Sequence, residues 1–545
     1  MMRIQTECTF LLPSQRPNLR HISRDRRFWG PNPTRMCVPR SPNLEKEAQP
    51  IHPKPHLRAH PHQPRSLSRA MSPAGRSGRP DAPLHLVFVP FLARSHFAPL
   101  AAKAADACGQ RVGATATTAA IVTTPHFAAL APPCVPVHVA GFRCPGGHED
   151  FSQLPDDEAS SAPAFFSAAE AALAPALAAV LRAQDGPVAV VSDAVLYWVP
   201  RVARECGAPH VTFHTIGAFA ASAMVAVHLH RPEAFLDPFV VPGGFPRHVK
   251  LRRAQINEEA LAHLPLFRAA EAQSYAVAFN SFAALEANFA AYYQSQLAGR
   301  PKKVFLVGPA LAAAASPRAV TGGAERDPIL QWLDGRPAGS VVYVCFGSTC
   351  ALGESQLREL ATGLRASGRT FLWVIPAARG EGGAAREERA SSHGMVVAGR
   401  WAPQAEILAH RAVGGFVTHC GWNSVLEAVR AGVPLATWPL RAEQFVNEAF
   451  LVEVLRVGVR VREVAREEAG LEALVPAGAV TRAVGRLMGD GQGEAEAVAG
   501  RRARARELGS AARAAVAEGG SSCGDWARLV EELKALHGRD SDPQV

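Results

Sequence analysis

A short stretch of the chain, GGFVTHCGWNS, combines a predicted strand, a glycine-containing turn and a helix start, an arrangement that can bind phosphate. Asn423 and Ser424 open the predicted helix, which ends at Gly432 with Pro434 two residues further on. The first turn of a helix offers unpaired backbone N–H groups and a partial positive charge. The side chains of Asn423 and Ser424, with His419 before the turn, would add donors for a phosphate group.

The residues around this turn include types that bind hydroxyl groups and flat rings. Glu427 lies one helical turn after Asn423, where its carboxylate could accept hydrogen bonds from two ribose hydroxyls. Trp401 and Trp422 offer flat faces for a base or a sugar, and Glu443–Gln444 pairs an acid with an amide for sugar hydroxyls. Each of these residues alone is more typical of a helix cap or a packed position, so the prediction rests on their combination.

Short apolar runs alternate with alanine-rich helical stretches along the chain, which predicts βαβ units and parallel sheets. The first series of predicted strands comprises Leu84–Phe91, Ala119–Thr123, Val188–Val191, His210–Phe213, Tyr275–Phe279 and Val304–Val307. The second series comprises Ser340–Phe346, Thr370–Ile375, Met395–Val397, Gly415–Thr418 and Pro434–Trp438. We therefore expect two doubly wound α/β domains facing one cleft, because such sheets bind ligands beyond the carboxyl ends of their strands.

Changes in composition predict the domain boundaries: a basic extension (1–80), a first α/β domain (81–315), a linker (316–338), a second α/β domain (339–525) and a C-terminal helix and tail (526–545). The extension holds 15 Lys and Arg against 4 Asp and Glu, together with 13 of the 43 prolines, and is predicted to be disordered. The remaining 465 residues contain 43 basic and 44 acidic groups. The formal net charge of +10 therefore belongs to the extension, which argues against a nucleic-acid-binding role for the folded part.

The ten cysteines form no C-x-x-C pair, so neither a zinc knuckle nor a redox motif is predicted. Sparse cysteine usage and the lack of an N-terminal apolar run typical of a secretory signal favour a cytoplasmic protein, which we expect to be a monomer. The longest uncharged apolar stretch is Cys206–His230, and the length of its most apolar part, roughly Ile216–Val227, predicts a core helix rather than a membrane span. We interpret the extension as sequence upstream of a start at Met71, with plastid targeting as the alternative.

The whole segment from Trp401 to Gln444 resembles the plant secondary product glycosyltransferase box, the 44-residue signature of family 1 plant UDP-sugar-dependent glycosyltransferases. WAPQ, HCGWNS, Glu427, GVP and EQ all stand at the positions of that box without a gap. VVYVCFGS, NSFAALE, VGP and GGSS extend the resemblance over roughly residues 84–535. The resemblance implies a GT-B fold, in which two Rossmann-like domains face each other across a cleft.

The resemblance also implies roles in binding the donor. Trp401 would stack on uracil, with the Ala402 backbone and Gln404 beside it, and Glu427 would bind the ribose. The diphosphate would be held by His419, Asn423 and Ser424, with Ser348 close by.

The sugar would be held by Trp422, Glu443 and Gln444. The family more often has Asp where this chain has Glu443, and either carboxylate can accept hydrogen bonds from sugar hydroxyls. Gln444 at the last position of the box favours UDP-glucose as the donor.

His96 and Asp193 stand where the family has its catalytic histidine and aspartate. His96 is predicted in the loop after the first strand, and Asp193 ends another buried strand 97 residues later. A histidine with a near-neutral pKa can take the acceptor's proton, and a buried carboxylate can orient the ring. His85, His214 and His228 are the alternatives for the base, with a packed position as their more typical interpretation.

The resemblance and these residues predict an inverting transfer of glucose from UDP-glucose to a hydroxyl of a small lipophilic plant metabolite, such as a flavonoid, phenolic, terpenoid or hormone, giving a β-O-glucoside. We expect no metal, because helix N–H groups and side chains hold the diphosphate; a D-x-D motif, Asp540–Asp542, stands in a polar tail. Acceptor contacts are expected from Ala140–Ala162 and Ile216–Leu251. The alternatives are a nucleotide-sugar epimerase or hydrolase on the same scaffold and a non-catalytic UDP-sugar-binding protein.

Overall fold

A computed structural model of the chain describes residues 82–143, 147–154, 161–234, 236–297, 303–311, 326–347, 352–375, 394–462, 473–489 and 494–539. Several predictions fall outside these residues: the extension 1–80, residues 316–325 of the linker, Ser348 and the Asp540–Asp542 motif.

The first sheet has the strand order β10-β9-β6-β5-β1-β3-β2, with β4 beside β3. All of its pairings are parallel except that of β2 with β3. The central strands are buried along their length, as expected of strands covered on both faces. In chain order its strands are β1 (Leu84–Val89), β2 (Arg111–Val112), β3 (Thr115–Thr123), β4 (Val137–Val139), β5 (Val188–Asp193), β6 (His210–His214), β9 (Ala276–Phe279) and β10 (Lys303–Leu306). Between β6 and β9 the chain forms a separate antiparallel ribbon of β7 (Phe239–Val240) and β8 (Lys250–Leu251).

Helices connect these strands, as the alternating pattern predicted. They are α1 (Arg94–Ala107), α2 (Pro125–Ala128), α3 (Ser161–Arg182), α4 (Val199–Glu205), α5 (Ala218–His230), α6 (Glu258–Glu271) and α7 (Ala283–Ser295). Short 3₁₀ turns cover Phe151–Gln153, Pro232–Ala234 and Arg253–Gln255.

Helix α1 begins earlier than predicted and contains His96, so the prediction of a loop at this position is wrong. The prediction began the helix at Pro99, but the chain enters it at Arg94, and the Ala93 carbonyl accepts from the His96 N–H at 2.9 Å. Pro99 therefore lies inside the helix and lacks the N–H that would bond the Ser95 carbonyl. His96 still follows β1 closely and remains at the carboxyl edge of the sheet.

The second sheet is entirely parallel, in the order β13-β12-β11-β14-β15-β16. Its strands are β11 (Val341–Cys345), β12 (Thr370–Ile375), β13 (Gly394–Ala398), β14 (Val413–Thr418), β15 (Leu435–Thr437) and β16 (Gly458–Arg460). Its helices, and those after it, are α8 (Pro328–Asp334), α9 (Glu354–Ala366), α10 (Gln404–Ala409), α11 (Trp422–Ala431), α12 (Gln444–Ala449, continued by a π-helical turn, Phe450–Val454), α13 (Ala477–Met488), α14 (Ala495–Val516) and α15 (Ser521–Arg539). Two doubly wound parallel sheets are therefore present, as predicted.

One hydrophobic core is shared between the two sheets. Phe219 of α5 stacks on Phe450 with ring centroids 4.5 Å apart, and Phe289 of α7 meets the same ring edge-on at 5.7 Å. At the other end of the molecule, α15 packs back on the first sheet through buried residues such as Trp526 and Leu529. The two sheets are thus joined by packed side chains in two places.

Helix α3 is long and apolar enough to cross a membrane by length and composition alone, over Ala162–Arg182. One of its faces, with Phe165, Leu173 and Leu181, is fully buried in the core of the first sheet. The predicted core helix, roughly Ile216–Val227, falls on α5, and Ala218–Val227 of this helix is buried throughout.

We expect Phe450→Ala to lower the stability of the whole molecule by about 3–5 kcal/mol, because it leaves a cavity in the shared core. The melting temperature measured by calorimetry should fall clearly. The matched control is Leu266→Ala, which truncates an exposed side chain of α6 and should change stability by no more than about 0.5 kcal/mol. Equal melting temperatures for the two variants would contradict a packed core between the sheets.

Candidate active site

A cavity of about 630 Å³ lies between the carboxyl ends of the two sheets. Its wall brings together residues of the first sheet's loops with residues that follow β13, β14 and β15 of the second. The predicted site residues that line it are His96, Trp401, Ala402, Gln404, His419, Trp422, Asn423, Ser424, Glu427, Glu443 and Gln444. Asp193 lies behind His96, so of the predicted set only Ser348 is left without a described position.

His96 and Asp193 form a hydrogen-bonded pair, with Nδ1 of the ring 2.8 Å from Oδ2 of the carboxylate. Asp193 is buried at the end of β5, and its second oxygen accepts from the Val195 N–H at 3.1 Å. A carboxylate can only accept, so Nδ1 must carry the hydrogen and Nε2 keeps its lone pair. The His96 side chain is 27% exposed, which leaves Nε2 open to a ligand in the cavity.

The charges around His96 favour its protonated form. Burial lowers the pKa of His96, but the charge and hydrogen bond of Asp193, with a contribution from Glu443, outweigh it and raise the pKa above 6.5. Glu443 belongs to the second sheet's side of the cavity, and burial raises the pKa of its own carboxyl group. A base from one sheet and an acid from the other therefore influence each other across the cavity.

Thr215 is a site residue that the sequence analysis missed. Its Oγ1 lies 3.0 Å from His96 Nδ1, so the ring nitrogen is shared between the hydroxyl and Asp193. Thr215 follows β6 directly, at the same sheet edge as His96 and Asp193. With two partners on one nitrogen, the ring orientation is fixed from two directions. The position of Thr215 directly after a predicted strand could have indicated a site residue, because the carboxyl ends of parallel strands meet at one edge of the sheet.

His419 lies against the first turn of α11 and is packed between two glycines. Burial, together with the positive charge of Arg441, lowers the pKa of His419 to about 4. A Cβ on Gly347 would lie 2.7 Å from the His419 ring, and one on Gly421 would lie 2.4 Å from its Nε2. His419 is therefore neutral at physiological pH and can serve an anion through one N–H rather than through a charge.

Gln404 organises the part of the cavity next to α11. Its Oε1 accepts from the Tyr343 hydroxyl at 3.1 Å, and its Nε2 donates to Ser424 Oγ at 3.0 Å and Glu427 Oε2 at 2.6 Å. Burial raises the pKa of Glu427 to about 7, although the hydrogen bond from Gln404 opposes this. Tyr343, which the sequence analysis did not select, sets the direction in which the Gln404 amide points.

Trp401 is the most exposed of the large apolar side chains in the described residues, at 68%. Its ring lies at the edge of the cavity beside the buried Ala402, and the Arg94 guanidinium carbon is 5.6 Å from the ring centroid. An indole ring left open inside a cavity presents a flat face on which a base can stack.

Two residues of the first turn of α11 are bonded to the first sheet. Trp422 is buried, and its indole nitrogen donates to the Asn280 carbonyl at 2.8 Å. Asn423 Nδ2 donates to the Ser95 carbonyl at 2.6 Å, next to His96. The contact of Trp422 uses its one N–H, whereas Asn423 Nδ2 keeps a second hydrogen, so this hydrogen, the backbone N–H groups and the Ser424 hydroxyl are donors at this turn.

Gln444 begins α12 at the wall of the cavity. Its Oε1 accepts from the backbone N–H groups of Leu440 and Arg441, at 2.9 and 3.0 Å. The side-chain oxygen thus fixes the turn that precedes α12 at the cavity wall.

The alternative histidines lie outside the cavity lining. His85 Nδ1 is 2.8 Å from the Thr118 hydroxyl on the neighbouring strand, and His214 Nε2 is 2.8 Å from Glu271. His228 has a buried Nδ1 without a hydrogen-bond partner and is likewise absent from the cavity wall. The geometry therefore favours His96 as the base.

Three phenylalanines form a wall next to His96. Phe91 meets the His96 ring edge-on at 5.4 Å and stacks on Phe166 at 5.2 Å, and Phe151 lies 5.7 Å from Phe166. All three line the cavity. The segments predicted to contact the acceptor contribute only in part, through Phe151, Ser152, Leu154 and Ile216, whereas residues at 257–260 and 310–311 were not predicted.

Comparison with known proteins identifies the family. A family model described as "UDP-glucoronosyl and UDP-glucosyl transferase" matches residues 329–475. The UDP-glucose flavonoid 3-O-glucosyltransferase 7 of Fragaria ananassa is 36% identical over 493 residues, which cover 83% of this chain and 96% of that protein. The chain belongs to the UDP-glycosyltransferase family.

Solved structures of other UDP-glycosyltransferases share this fold. The enzyme UGT73P12 of Glycyrrhiza uralensis, complexed with glycyrrhetinic acid 3-O-monoglucuronide, matches with a TM-score of 0.70 and 30% identity, covering 84% of this chain and 97% of that one. UGT2 of Phytolacca americana, complexed with UDP-2fluoro-glucose and pterostilbene, matches with a TM-score of 0.65 and 28% identity, covering 83% and 100%. The predicted family and the predicted GT-B fold are both confirmed.

For this UDP-glycosyltransferase we expect uridine to bind more weakly as the pH falls through 7. Burial raises the pKa of Glu427 to about 7, and its ionised form accepts hydrogen bonds from the ribose hydroxyls more strongly than the protonated form does. Uridine is the probe because it lacks a phosphate that titrates in this range. Titration calorimetry between pH 6 and 8 should show affinity rising with pH.

Glu427→Gln should weaken uridine binding by about 1.5–3 kcal/mol and abolish the pH dependence, because an amide neither ionises nor accepts as strongly. Glu406→Gln is the matched control, since Glu406 lies in the neighbouring helix α10 but not in the cavity wall. A pH dependence that survives in Glu427→Gln would contradict the assignment of Glu427 to the ribose.

Proposed function

We propose that this UDP-glycosyltransferase moves glucose from UDP-glucose to a hydroxyl of a small lipophilic plant metabolite and forms a β-O-glucoside. The observation that carries the proposal is the 2.8 Å pair of His96 and Asp193, in which the buried Asp193 orients a His96 ring that lines the same cavity as the first turn of α11. A base oriented by a buried carboxylate suits the removal of a hydroxyl proton. The second sheet's side of the cavity offers groups that suit a nucleotide sugar.

The transfer is a single displacement in which atoms and charge balance. His96 Nε2 takes the proton of the acceptor hydroxyl while the hydroxyl oxygen forms a bond to the anomeric carbon of the sugar. The bond from that carbon to the diphosphate oxygen breaks, and its electron pair leaves on UDP. Attack from the face opposite UDP inverts an α-linked donor to a β-glucoside. Asp193 and Thr215 hold the ring throughout, and Asp193 stabilises the imidazolium that forms.

The donor half of the cavity supports a UDP-sugar. Trp401 offers its open face to uracil, and Glu427, anchored by Gln404, offers its carboxylate to the ribose. The backbone N–H groups at the start of α11, the Ser424 hydroxyl and the neutral His419 face the diphosphate and the charge that develops on it.

Glucose is the sugar that we propose, on the strength of Glu443 and Gln444 at the cavity wall. A carboxylate and an amide can together bond several equatorial hydroxyls. The Fragaria ananassa relative is named as a UDP-glucose flavonoid glucosyltransferase, which also favours glucose.

The acceptor half supports a flat, apolar molecule. Phe91, Phe151 and Phe166 form an aromatic wall beside the base, and rings pack well against offset or tilted partners. A phenolic ring lying on this wall would present a hydroxyl to His96. The flavonoid in the name of one relative and the pterostilbene bound to a structural neighbour are of this type.

We also propose that the transfer needs no metal ion, because the first turn of α11 and its neighbours already supply donors for the diphosphate. Within the described residues, no group of three or more His, Cys, Asp or Glu side chains is placed to hold an ion. EDTA added to an assay of glucose transfer from UDP-glucose to a phenol should therefore leave turnover unchanged.

The test is incubation of the full-length protein with UDP-glucose and a panel of phenolic acceptors, with products identified by mass and by the anomeric proton coupling. We expect a β-glucoside, and a loss of turnover of about 10²–10⁴-fold in His96→Ala, since that variant lacks the base. His85→Ala is the matched control, because His85 bonds Thr118 away from the cavity. Undiminished turnover in His96→Ala would exclude His96 as the base.

The alternative functions give different products in the same assay. Release of free glucose without an acceptor would identify a hydrolase, and conversion of the donor sugar would identify an epimerase. Binding of UDP-glucose without any product would leave a non-catalytic binding protein. The oriented His96–Asp193 pair favours an enzyme over the non-catalytic alternative, since a binding protein needs no base.

We expect kcat/KM to fall as the pH drops, with an inflection above 6.5. Burial alone would lower the pKa of His96, but Asp193 and Glu443 raise it, and only the neutral ring can accept a proton. Activity is therefore retained above the raised pKa and lost below it. Glu443→Gln removes one negative charge and should move the inflection to lower pH. An inflection that stays in place would contradict the contribution of Glu443.

A further inference from the structure

Arg94 lies on the cavity wall two residues before His96, and the proposed function gives it no role. Its Nε forms an ion pair with the buried Asp150 at 3.9 Å, too long for a hydrogen bond, and its guanidinium carbon is 5.6 Å from the Trp401 ring centroid. Within the described part of the chain the guanidinium makes no hydrogen bond, and the side chain is 35% exposed. A guanidinium has five N–H donors, so this one is available to a ligand in the cavity.

The start of α1 holds Arg94 next to the donor-binding turn. The Ser95 carbonyl, adjacent in the chain, accepts from Asn423 Nδ2 at 2.6 Å. This carbonyl is available because Pro99, four residues on, has no N–H to bond it within the helix. Arg94 is therefore one residue from a direct contact with the first turn of α11. Its side chain extends toward Trp401, which lines the same cavity from the second sheet's side.

The cavity contains few positive charges for a ligand that carries a diphosphate. His419 is neutral at physiological pH, because its pKa is lowered to about 4. Arg400 donates two hydrogen bonds to Asp327, both 3.1 Å long, so its charge is paired with that carboxylate. Arg441 lies on the second sheet's side, where its charge acts on His419. On the first sheet's side, Arg94 is the cation of the cavity wall.

We propose that Arg94 binds the donor, its guanidinium donating hydrogen bonds to the diphosphate of the UDP-sugar. The inference rests on the proposed function, because it places uracil at Trp401 and the diphosphate at the first turn of α11. A guanidinium matches the geometry of phosphate oxygens and forms charge-assisted hydrogen bonds with them. It also stabilises the negative charge that appears on UDP when the glycosidic bond breaks.

An acidic group on the acceptor is the other anion that Arg94 could meet, because α1 also borders the aromatic wall. We favour the diphosphate, since Arg94 lies over Trp401 and beside the Ser95–Asn423 contact, both of which belong to the donor half. The two ligands are separable by experiment, because UDP binding can be measured without an acceptor.

The experiment compares the full-length protein with Arg94→Gln and Arg94→Lys by titration calorimetry with UDP and with uridine. In Arg94→Gln we expect UDP to bind about tenfold more weakly, the effect of losing charge-assisted hydrogen bonds, and uridine to bind as before. Arg94→Lys should retain part of the UDP affinity through its charge. Arg201→Gln is the matched control: it removes an arginine that does not line the cavity and whose guanidinium donates to Glu170 and Glu205, and it should change neither affinity.

Unchanged UDP affinity in Arg94→Gln would overturn the proposal, as would equal losses for UDP and uridine. A raised KM for a carboxylated phenol, with UDP affinity and the KM of a neutral phenol unchanged, would assign Arg94 to the acceptor and overturn it as well. Failure of the unsubstituted protein to bind UDP would instead remove the proposed function. The melting temperature of each variant, equal to that of the unsubstituted protein, establishes that a change in affinity is local.

Discussion

The packing of Phe219 on Phe450, with ring centroids 4.5 Å apart, holds the two sheets in one arrangement. This contact lies in a core that draws side chains from both sheets, so neither sheet can move without opening packed apolar surface. The carboxyl ends of the two sets of strands are thereby kept facing each other across the cavity. Trp422, bonded through its indole nitrogen to the Asn280 carbonyl at 2.8 Å, extends the same contact to the first turn of α11. The distance between the base and the donor-binding turn is thus set by packing, and the chemistry depends on it.

The electrostatics of the cavity suit a ligand that arrives with its own negative charge. Burial raises the pKa of both Glu427 and Glu443, that of Glu427 to about 7. Protonation of Glu427 removes a negative charge from the cavity, but it also weakens the hydrogen bonds that this carboxyl group can accept from a ribose. His419, whose pKa is lowered to about 4, contributes a hydrogen bond and no charge. The folded part of the chain has nearly equal numbers of acidic and basic groups, which agrees with a site built on hydrogen bonds and a few local charges.

Much of the fold was predictable because its signals are local. Buried strands such as β1 and β5 are continuous apolar runs, and α11 has its start and its glycine end marked in the sequence. Edge strands of two or three residues, such as β2 and β4, carry no comparable pattern and were missed. The site residues differ in the same way: those in the continuous segment Trp401–Gln444 were predicted, whereas Thr215 was not. Thr215 lies 119 residues from His96 in the chain, and only the strand pairing that forms the sheet brings the two together.

Pro99 shows how one local property of the chain reaches across the cavity. An ordinary residue at this place in α1 would bond its N–H to the Ser95 carbonyl, but proline has no N–H, and the carbonyl accepts from Asn423 instead. The first turn of α1, which contains His96, is thereby tied to the first turn of α11, which faces the donor. The same bond holds the Asn423 side chain at the start of α11, while the second hydrogen on its Nδ2 is left for a phosphate oxygen. Asn423 can therefore tie the turn of the base to α11 and still act beside the backbone N–H groups and the Ser424 hydroxyl, the other donors at the start of this helix.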